Sequence, residues 1–422
     1  MIFPTAIFWI LFIPFAILIG LAALYQLFLT IAAAGEPGRK DVDGVFKGTK
    51  DGSTRFLILI PAHNEEMLIG WVLEQLRKQT YPEDCYKVVV IADNCEDRTA
   101  TIAREKGAEA LERHDLANRG KGQALNWAVE NHLRPREDSF DAVVVMDADS
   151  VLNPDFLWFM ERSLADDHGV VQGYYTTQNP LESWRTSLMT AALAAFHFLR
   201  PLARNRMGWS CGLKGNGMGF RRELLLKYGY PAFSVVEDVE LALFYLEKGI
   251  RVRFVPGAIV YGQMTSSAKE AKTQRVRWEG GRFALIGQWV PRLLRKGLPG
   301  LDGARLDGAV DLLLPPFSIQ ALGAVLLFLS GAGLWLAGEI SLAVFLLFAV
   351  VPVVALKLYV LSAMVLARVP RPLYLRLGFA PVYVLWKFAA YAAMLGGGKN
   401  SAAKTWKRTG RQAVATDLKK KN

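Results

Sequence analysis

Ala142-Val143-Val144-Val145-Met146-Asp147-Ala148-Asp149 is the stretch that decides the fold. Its apolar, mostly β-branched run reads as a strand buried on both faces. It ends in two carboxylates one residue apart. In an open α/β sheet, ligands collect beyond the carboxyl ends of the strands, so Asp147 and Asp149 project where a ligand would sit. Two such carboxylates can share a hard divalent cation, which can in turn bridge a diphosphate. The alternative is a strand that simply runs into an Asx turn at Ala148-Asp149-Ser150.

Upstream, short apolar runs alternate with helical patterns: strands near 55–60, 87–92 and 141–146, helices near 65–79, 97–106 and 120–130. Strands alternating with helices of about ten residues imply βαβ units. The expectation is a Rossmann-like α/β domain over residues 55–265 with a mostly parallel sheet.

The 422-residue chain is 52% hydrophobic, and its apolar residues crowd toward the two ends. Residues 1–34 carry no charged side chain, a run longer than the ~20 residues needed to cross a bilayer. A retained transmembrane helix is expected rather than a signal peptide. No positive segment precedes the run, and a signal core is only ~7–15 residues long. Residues 35–54 read as a polar linker. Over 266–311, Trp278, Phe283, Trp289 and Leu293 lie among arginines and lysines. That pattern predicts amphipathic helices in the membrane interface, or else a surface pair packed on the domain. Residues 312–337 and 341–367 are long enough for two further transmembrane helices. Residues 373–395 carry Arg376, Lys387 and three tyrosines, which suits an interfacial or re-entrant helix.

Formal net charge is +11, with a basic tail over 396–422. The surplus lies beside hydrophobic stretches, as expected for an anionic cytoplasmic leaflet and not for nucleic acid. It predicts an integral protein of the inner (cell) membrane with both the soluble domain and the tail in the cytoplasm. The three cysteines, Cys85, Cys95 and Cys211, have no paired or metal-like spacing and fit a reducing compartment.

The other motifs fall where this sheet would present them. Pro61-Ala62-His63-Asn64-Glu65-Glu66 follows the first strand, and Asn64 is placed to cap the next helix. Asp93 ends the second strand, where it can accept a hydrogen bond from a base or ribose. Arg119-Gly120-Lys121-Gly122 offers a backbone that approaches an anion and a lysine that adds charge. Lys214-Gly215-Asn216-Gly217-Met218-Gly219-Phe220 lacks dinucleotide spacing, and its glycines would let a bulky substrate approach the backbone. Glu237-Asp238 opens a helix; such carboxylates are usually caps, yet Asp238 suits a general base beside an acceptor hydroxyl. Gln274-Arg275-Val276-Arg277-Trp278 pairs a cation for a pyrophosphate with an indole for a sugar, or anchors an interface.

Together these motifs, in this order and between apolar segments, resemble the family 2 membrane glycosyltransferases, which include polysaccharide synthases and ceramide glucosyltransferases. The resemblance covers about residues 55–280 and implies a GT-A fold. It implies that Asp93, with Pro61, Ala62 and Glu65, lines the nucleotide pocket, and that Lys121 lies near the donor phosphates. Asp147-Ala148-Asp149 would be the Asp-X-Asp motif that binds Mg²⁺ or Mn²⁺ against the diphosphate. Glu237-Asp238 matches the end of the Thr-Glu-Asp motif, whose Asp is the catalytic base. Val236 stands where that threonine would be. Gln274, Arg277 and Trp278 match the Gln-x-x-Arg-Trp motif that holds diphosphate and acceptor.

The expected activity is inverting transfer from a nucleotide sugar, with a lean to UDP, onto a growing polysaccharide or lipid-linked saccharide. Single transfer onto a membrane lipid is the alternative. About three spans are few for a polymer channel, which leaves single transfer or a membrane-subunit partner open. A non-catalytic nucleotide-binding scaffold would gain only if the carboxylates were substituted, and they are present.

Overall fold

The structure is a computed structural model and describes residues 2–34, 45–136, 140–165, 169–264 and 268–385. The first half of the 35–54 linker, the end of the 373–395 segment and the whole 396–422 tail therefore lie outside the described residues.

Eight strands form one sheet in the order β3-β2-β1-β4-β7-β6-β8-β5. They are β1 (Phe56–Ala62), β2 (Tyr86–Asp93), β3 (Glu109–Arg113), β4 (Ala142–Val145), β5 (Ser150–Leu152), β6 (Val170–Thr177), β7 (Met218–Arg221) and β8 (Arg253–Gly262). Strands β2, β1 and β4 run parallel, as the alternating pattern predicts, and β3, a strand the pattern does not mark, adds a parallel edge beside β2. Beyond β4 the sheet turns mixed, because β7 is antiparallel to both β4 and β6, and β5 is antiparallel to β8. The sequence pattern gives no sign of that reversal.

Strand β4 sits in the middle and is buried throughout. Val143 and Val145 enter one core, Ala142, Val144 and Met146 the other, as the two-residue period of a strand requires. One face carries α2 (Ile69–Leu76), α3 (Thr99–Glu105) and α5 (Phe156–Ala165). The other carries α4 (Lys121–Ala128), α6 (Trp184–Leu193) running on through a π-type turn into α7 (Arg200–Arg206), α8 (Arg222–Tyr228) and α9 (Glu237–Glu247).

Outside this unit lie α1 (Ile2–Ala33), α10 (Ala268–Gly297), α11 (Gly303–Leu313), α12 (Phe317–Leu336), α13 (Leu342–Phe345), α14 (Val351–Leu366) and α15 (Pro372–Arg376). By length and composition three helical stretches can cross a membrane: Phe12–Ala33, Phe317–Leu336 and Leu342–Leu366. They pack through small residues, with Ala16, Ile19 and Ala23 of α1 against Ala324, Leu327, Ala355 and Leu356. The backbone of Gly323 comes so near Ile19 that a methyl group there would meet Cδ1 at 2.6 Å, the close approach small residues allow between apolar helices.

Helices α10 and α11 pack on α9. Leu285, Trp289 and Leu293 are buried with Leu243, Leu246, Ala304 and Leu312, whereas Phe283 stays exposed.

A polar junction ties these helices to the sheet domain. Arg204 of α7 pairs with Asp307 at 2.8 Å and Asp311 at 3.0 Å, both on α11. Arg200 reaches Asp311 at 2.9 Å and donates to the Tyr359 hydroxyl of α14 at 2.9 Å. The Tyr25 hydroxyl of α1 donates to Asp307 at 2.5 Å. Two cations thus meet two anions, and the Tyr25 and Tyr359 hydroxyls accept further hydrogen bonds from Arg204 and Arg200, the kind of pairing that burying such charges requires.

Candidate active site

The carboxyl ends of β1, β2 and β4 open on one cleft. At its β1 side, Pro61 and Ala62 lie in register with Ile91 and Ala92 of β2. The next residues link the two loops. The His63 ring Nδ1 is 2.7 Å from the Asp93 carbonyl, and the buried Glu65 donates its N–H to Thr99 at 2.8 Å. Asn64 does not cap a helix, because α2 starts at Ile69 with no side-chain cap. It takes a left-handed φ of 56° and its side chain accepts the Glu96 N–H at 2.8 Å, so it fastens the β1 loop to the β2 loop.

Asp93 ends β2 and is buried. The β2–β3 register sets Arg113 opposite it, and Arg113 Nη1 donates to Asp93 Oδ1 at 2.6 Å. Asn94 donates to the same oxygen at 3.0 Å. Asp93 Oδ2 receives no hydrogen bond among the described residues. Sequence reasoning missed Arg113; the signal available was a lone arginine closing a strand beside Asp93.

Lys121, the first residue of α4, reaches across the cleft. Its Nζ donates to Asp147 Oδ1 at 2.5 Å and to the Gly215 carbonyl, and lies 3.9 Å from Glu237 Oε1. Burial works against its charge, but Asp147 and Glu237 outweigh that and hold its pKa above the ordinary lysine value. The start of α4 is fixed by Gly122, where a Cβ would lie 1.9 Å from the Ala232 carbonyl oxygen and 3.2 Å from Glu237 Cβ. No larger residue fits while α4 packs on the chain leading into α9.

Asp147 and Asp149 are both half-buried and are propped by one buried amide. Asn216 accepts the Asp147 N–H at 3.2 Å and donates to Ser150 Oγ at 2.8 Å. Ser150 in turn donates to Asp149 at 3.1 Å. The glycine-dense stretch is therefore part of the site and not only a clearance for substrate: Gly215 and Asn216 touch its groups directly, while Met218 to Arg221 forms β7. Asn216 is a second residue that sequence reasoning missed, hidden among glycines.

Among the described residues no three or more His, Cys, Asp or Glu side chains gather as a preformed metal site. The donors present are two hard carboxylates, with one oxygen of Asp147 already taken by Lys121. Such a pair suits Mg²⁺ or Mn²⁺, which keep waters and take substrate phosphate oxygens as remaining ligands.

Glu237 and Asp238 open α9 behind a Val236 that offers no side-chain cap. Burial raises the Glu237 carboxyl to about 7, partly offset by Lys121. Burial also raises Asp238, partly offset by its contact with the Val239 N–H and by Lys121 and Lys214. Gly215, at φ +75°, passes so near that a Cβ would lie 3.3 Å from Asp238 Oδ2. Trp278 is half-buried on α10. Gln274 and Arg277 fall in the first turns of α10, where side chains lie outside the described residues.

Lys121, Asp147, Asp149, Glu237 and Asp238 thus come together from three loops, and Asp93 ends β2, two strands along the same sheet from β4. A curled mixed sheet with an Asp-X-Asp pair at the end of its central strand is the GT-A architecture. The chain belongs to the glycosyltransferase like family 2, whose model matches residues 54–281. It is 28% identical over 247 residues to "Probable glycosyltransferase YdaM" of Bacillus subtilis, a match covering 56% of this chain and 57% of that one. It is 29% identical over 249 residues to the beta-monoglucosyldiacylglycerol synthase of Trichormus variabilis, covering 56% and 51%. These matches span about half the length of the curated relatives. Among solved structures, the mannosyltransferase PcManGT from Pyrobaculum calidifontis, in complex with GDP-Man and Mn²⁺, superposes with a TM-score of 0.50. That comparison has 20% identity, covers 83% of this chain and 97% of the other, and bears on the fold alone.

Proposed function

We propose that this protein transfers a sugar, with inversion, from a nucleotide diphosphate sugar to an acceptor hydroxyl at a membrane surface. The observation that carries the reading is Lys121, whose single ammonium touches Asp147 of the Asp-X-Asp pair and comes within 3.9 Å of Glu237 beside the candidate base. Donor phosphate and acceptor would then meet within one side chain's reach.

In this reading Asp93 Oδ2 takes a hydrogen bond from the base or ribose, with Pro61, Ala62 and Glu65 around it. A UDP-linked donor is the first choice. Ala148 backs the diphosphate between Asp147 and Asp149. A divalent cation on those two carboxylates would supply charge neutralisation for the diphosphate. Asp238 accepts the proton of the acceptor hydroxyl as its oxygen forms a bond to the anomeric carbon. The bond from that carbon to the diphosphate breaks on the opposite face, and nucleoside diphosphate departs. Lys121 stabilises the charge that grows on it. Gln274, Arg277 and Trp278 would close over diphosphate and acceptor.

The acceptor is a growing polysaccharide or lipid-linked saccharide. Single transfer onto a membrane lipid is the second reading, favoured by the three candidate spans and by the likeness to a glucosyldiacylglycerol synthase. The sheet domain and basic tail would face the cytoplasm, with α10 and α11 against the lipid surface.

The test is the lipid-reconstituted full chain given a panel of nucleotide sugars with Mg²⁺ or Mn²⁺, with and without lipid extract. Release of nucleoside diphosphate supports the reading. No release with any donor, together with UDP affinity unchanged by chelator, overturns it.

A further inference from the structure

Helix α10 carries two consecutive glycines, Gly280 and Gly281, in its interior. Glycine is a poor helix former, so its use there points to what it lets approach. Gly281 is buried, and a Cβ built on it would lie 2.8 Å from Val235 Cγ2 and 2.9 and 3.0 Å from the two methyl groups of Val236. These valines immediately precede Glu237 and Asp238, and α9 opens directly behind Val236. The backbone of α10 therefore rests on the valines, one helical turn after Arg277 and Trp278.

This contact has little room to give. Valine is stiff about χ1, and Val236 is 5% exposed. The segment before it is tied down, because Glu240 Oε2 accepts the N–H groups of Phe233 at 2.9 Å and Ser234 at 2.8 Å. On its other side the same segment meets Gly122 of α4 through the Ala232 carbonyl and Glu237 Cβ. Residues 232–237 thus lie between two glycines, one beside Lys121 and one a turn from Trp278. Farther along α10, Leu285, Trp289 and Leu293 are buried with Leu243 and Leu246 of α9. A side chain at 281 would part α10 from α9 at the turn that carries Arg277 and Trp278.

Resting on the function proposed above, we propose that Gly281 is a positioning residue for sugar transfer: by bringing the backbone of α10 onto Val235 and Val236, it fixes Arg277 and Trp278 relative to Asp238. Val236 is its shape partner, so the valine at the place of the motif's threonine has a packing role. A misplacement of about 1 Å can cost about 10²-fold in rate, which makes so close a seat worth the loss of helix propensity.

The test uses the full chain in lipid nanodiscs. UDP affinity in Mn²⁺ is measured by calorimetry, and kcat by release of nucleoside diphosphate from the best donor of the panel. G281A is expected to lower kcat by about 10–10²-fold and to weaken UDP binding by about threefold to tenfold, the worth of one displaced contact. The triple variant V235A/V236A/G281A removes all three close atoms. It should bind UDP within about twofold of V235A/V236A and recover at least about tenfold in kcat over G281A, the coupling expected of residues in contact. G287A, on the same helix where a Cβ meets nothing within 4 Å, should match wild type in both measurements. Wild-type kcat and UDP affinity in G281A overturn the proposal. A triple variant no better than G281A overturns it as well, since the loss would then not come from the valine contact. Should G281A not fold, UDP affinity of the triple variant more than about tenfold below that of V235A/V236A overturns it. If wild type releases no nucleoside diphosphate while the UDP affinities keep this order, the transfer reaction fails and the seating of α10 by Gly281 stands.

Discussion

Lys121 Nζ stands 2.5 Å from Asp147 Oδ1 and 3.9 Å from Glu237 Oε1, so one ammonium spans the gap between the end of β4 and the start of α9. Those two points are separated by 90 residues of chain, and only the sheet brings them together. Replacing Lys121 by Met removes that bridge and leaves two carboxylates facing each other. Turnover, read as nucleoside diphosphate release, should fall by about 10²–10³, the cost of losing one preorganised charge on a leaving group.

Asp238→Asn should lower turnover by about 10²–10⁴, the range for a lost general base. UDP affinity in Mn²⁺, measured by calorimetry, should stay within about twofold, since Asp238 would touch the acceptor hydroxyl and not the nucleotide. Wild-type turnover in this variant would remove Asp238 from the mechanism.

The pH dependence follows from burial. Glu237 is raised to about 7 and Asp238 is raised as well, so the pair takes up a proton as pH falls toward neutrality. kcat/KM should drop below about pH 7, on the acid side of the profile. Stability moves the other way. A carboxylate whose folded pKa exceeds its unfolded value binds more protons when folded, so stability falls as pH rises from its unfolded value through about 7. Glu237→Gln should therefore be more stable than wild type at pH 8 by roughly 1–3 kcal/mol, read from urea unfolding, and gain little at pH 5.

Arg113→Met leaves the Asp93 carboxylate buried without its cation. Breaking a buried pair from one side costs about 3–5 kcal/mol. Thermal melting should show that loss, and UDP affinity should fall with it. Unchanged melting and affinity would mean that the pair neither supports the β2–β3 edge nor orients Asp93.

Gly122→Ala forces a methyl group onto the Ala232 carbonyl, 1.9 Å away in the present packing. α4 or the 232–237 segment must shift, at a cost of about 1–3 kcal/mol, and Lys121 moves with it. Activity should fall further than stability does. The same change at Gly120, where a Cβ meets nothing within 4 Å, is strained only by its φ of 128° and should not push α4 off the 232–237 segment.

Much of this protein is determined by local sequence. Strand β4 is written in its own residues, since a strand buried on both faces must be apolar throughout, and its two terminal carboxylates follow from where it stops. Strands β1, β2 and β4, the helices that follow β1 and β2 and the three apolar stretches are legible for the same reason, since periodicity and length are properties of neighbouring residues, whereas the short edge strand β3, with charged residues at both ends, left no such mark. What the tertiary structure alone decided is which distant groups meet. The reversal of β7 sets Asn216 under Asp147, the register of β3 puts Arg113 against Asp93, and the packing of α7 on α11 balances Arg200 and Arg204 against Asp307 and Asp311. Each of these contacts joins residues whose separation along the chain hides them from any local pattern. Asn64, which looked like a helix cap, shows the same limit, because its partner Glu96 lies on another loop. A contact between elements has its energy only once the sheet has closed, so no window of sequence could carry it.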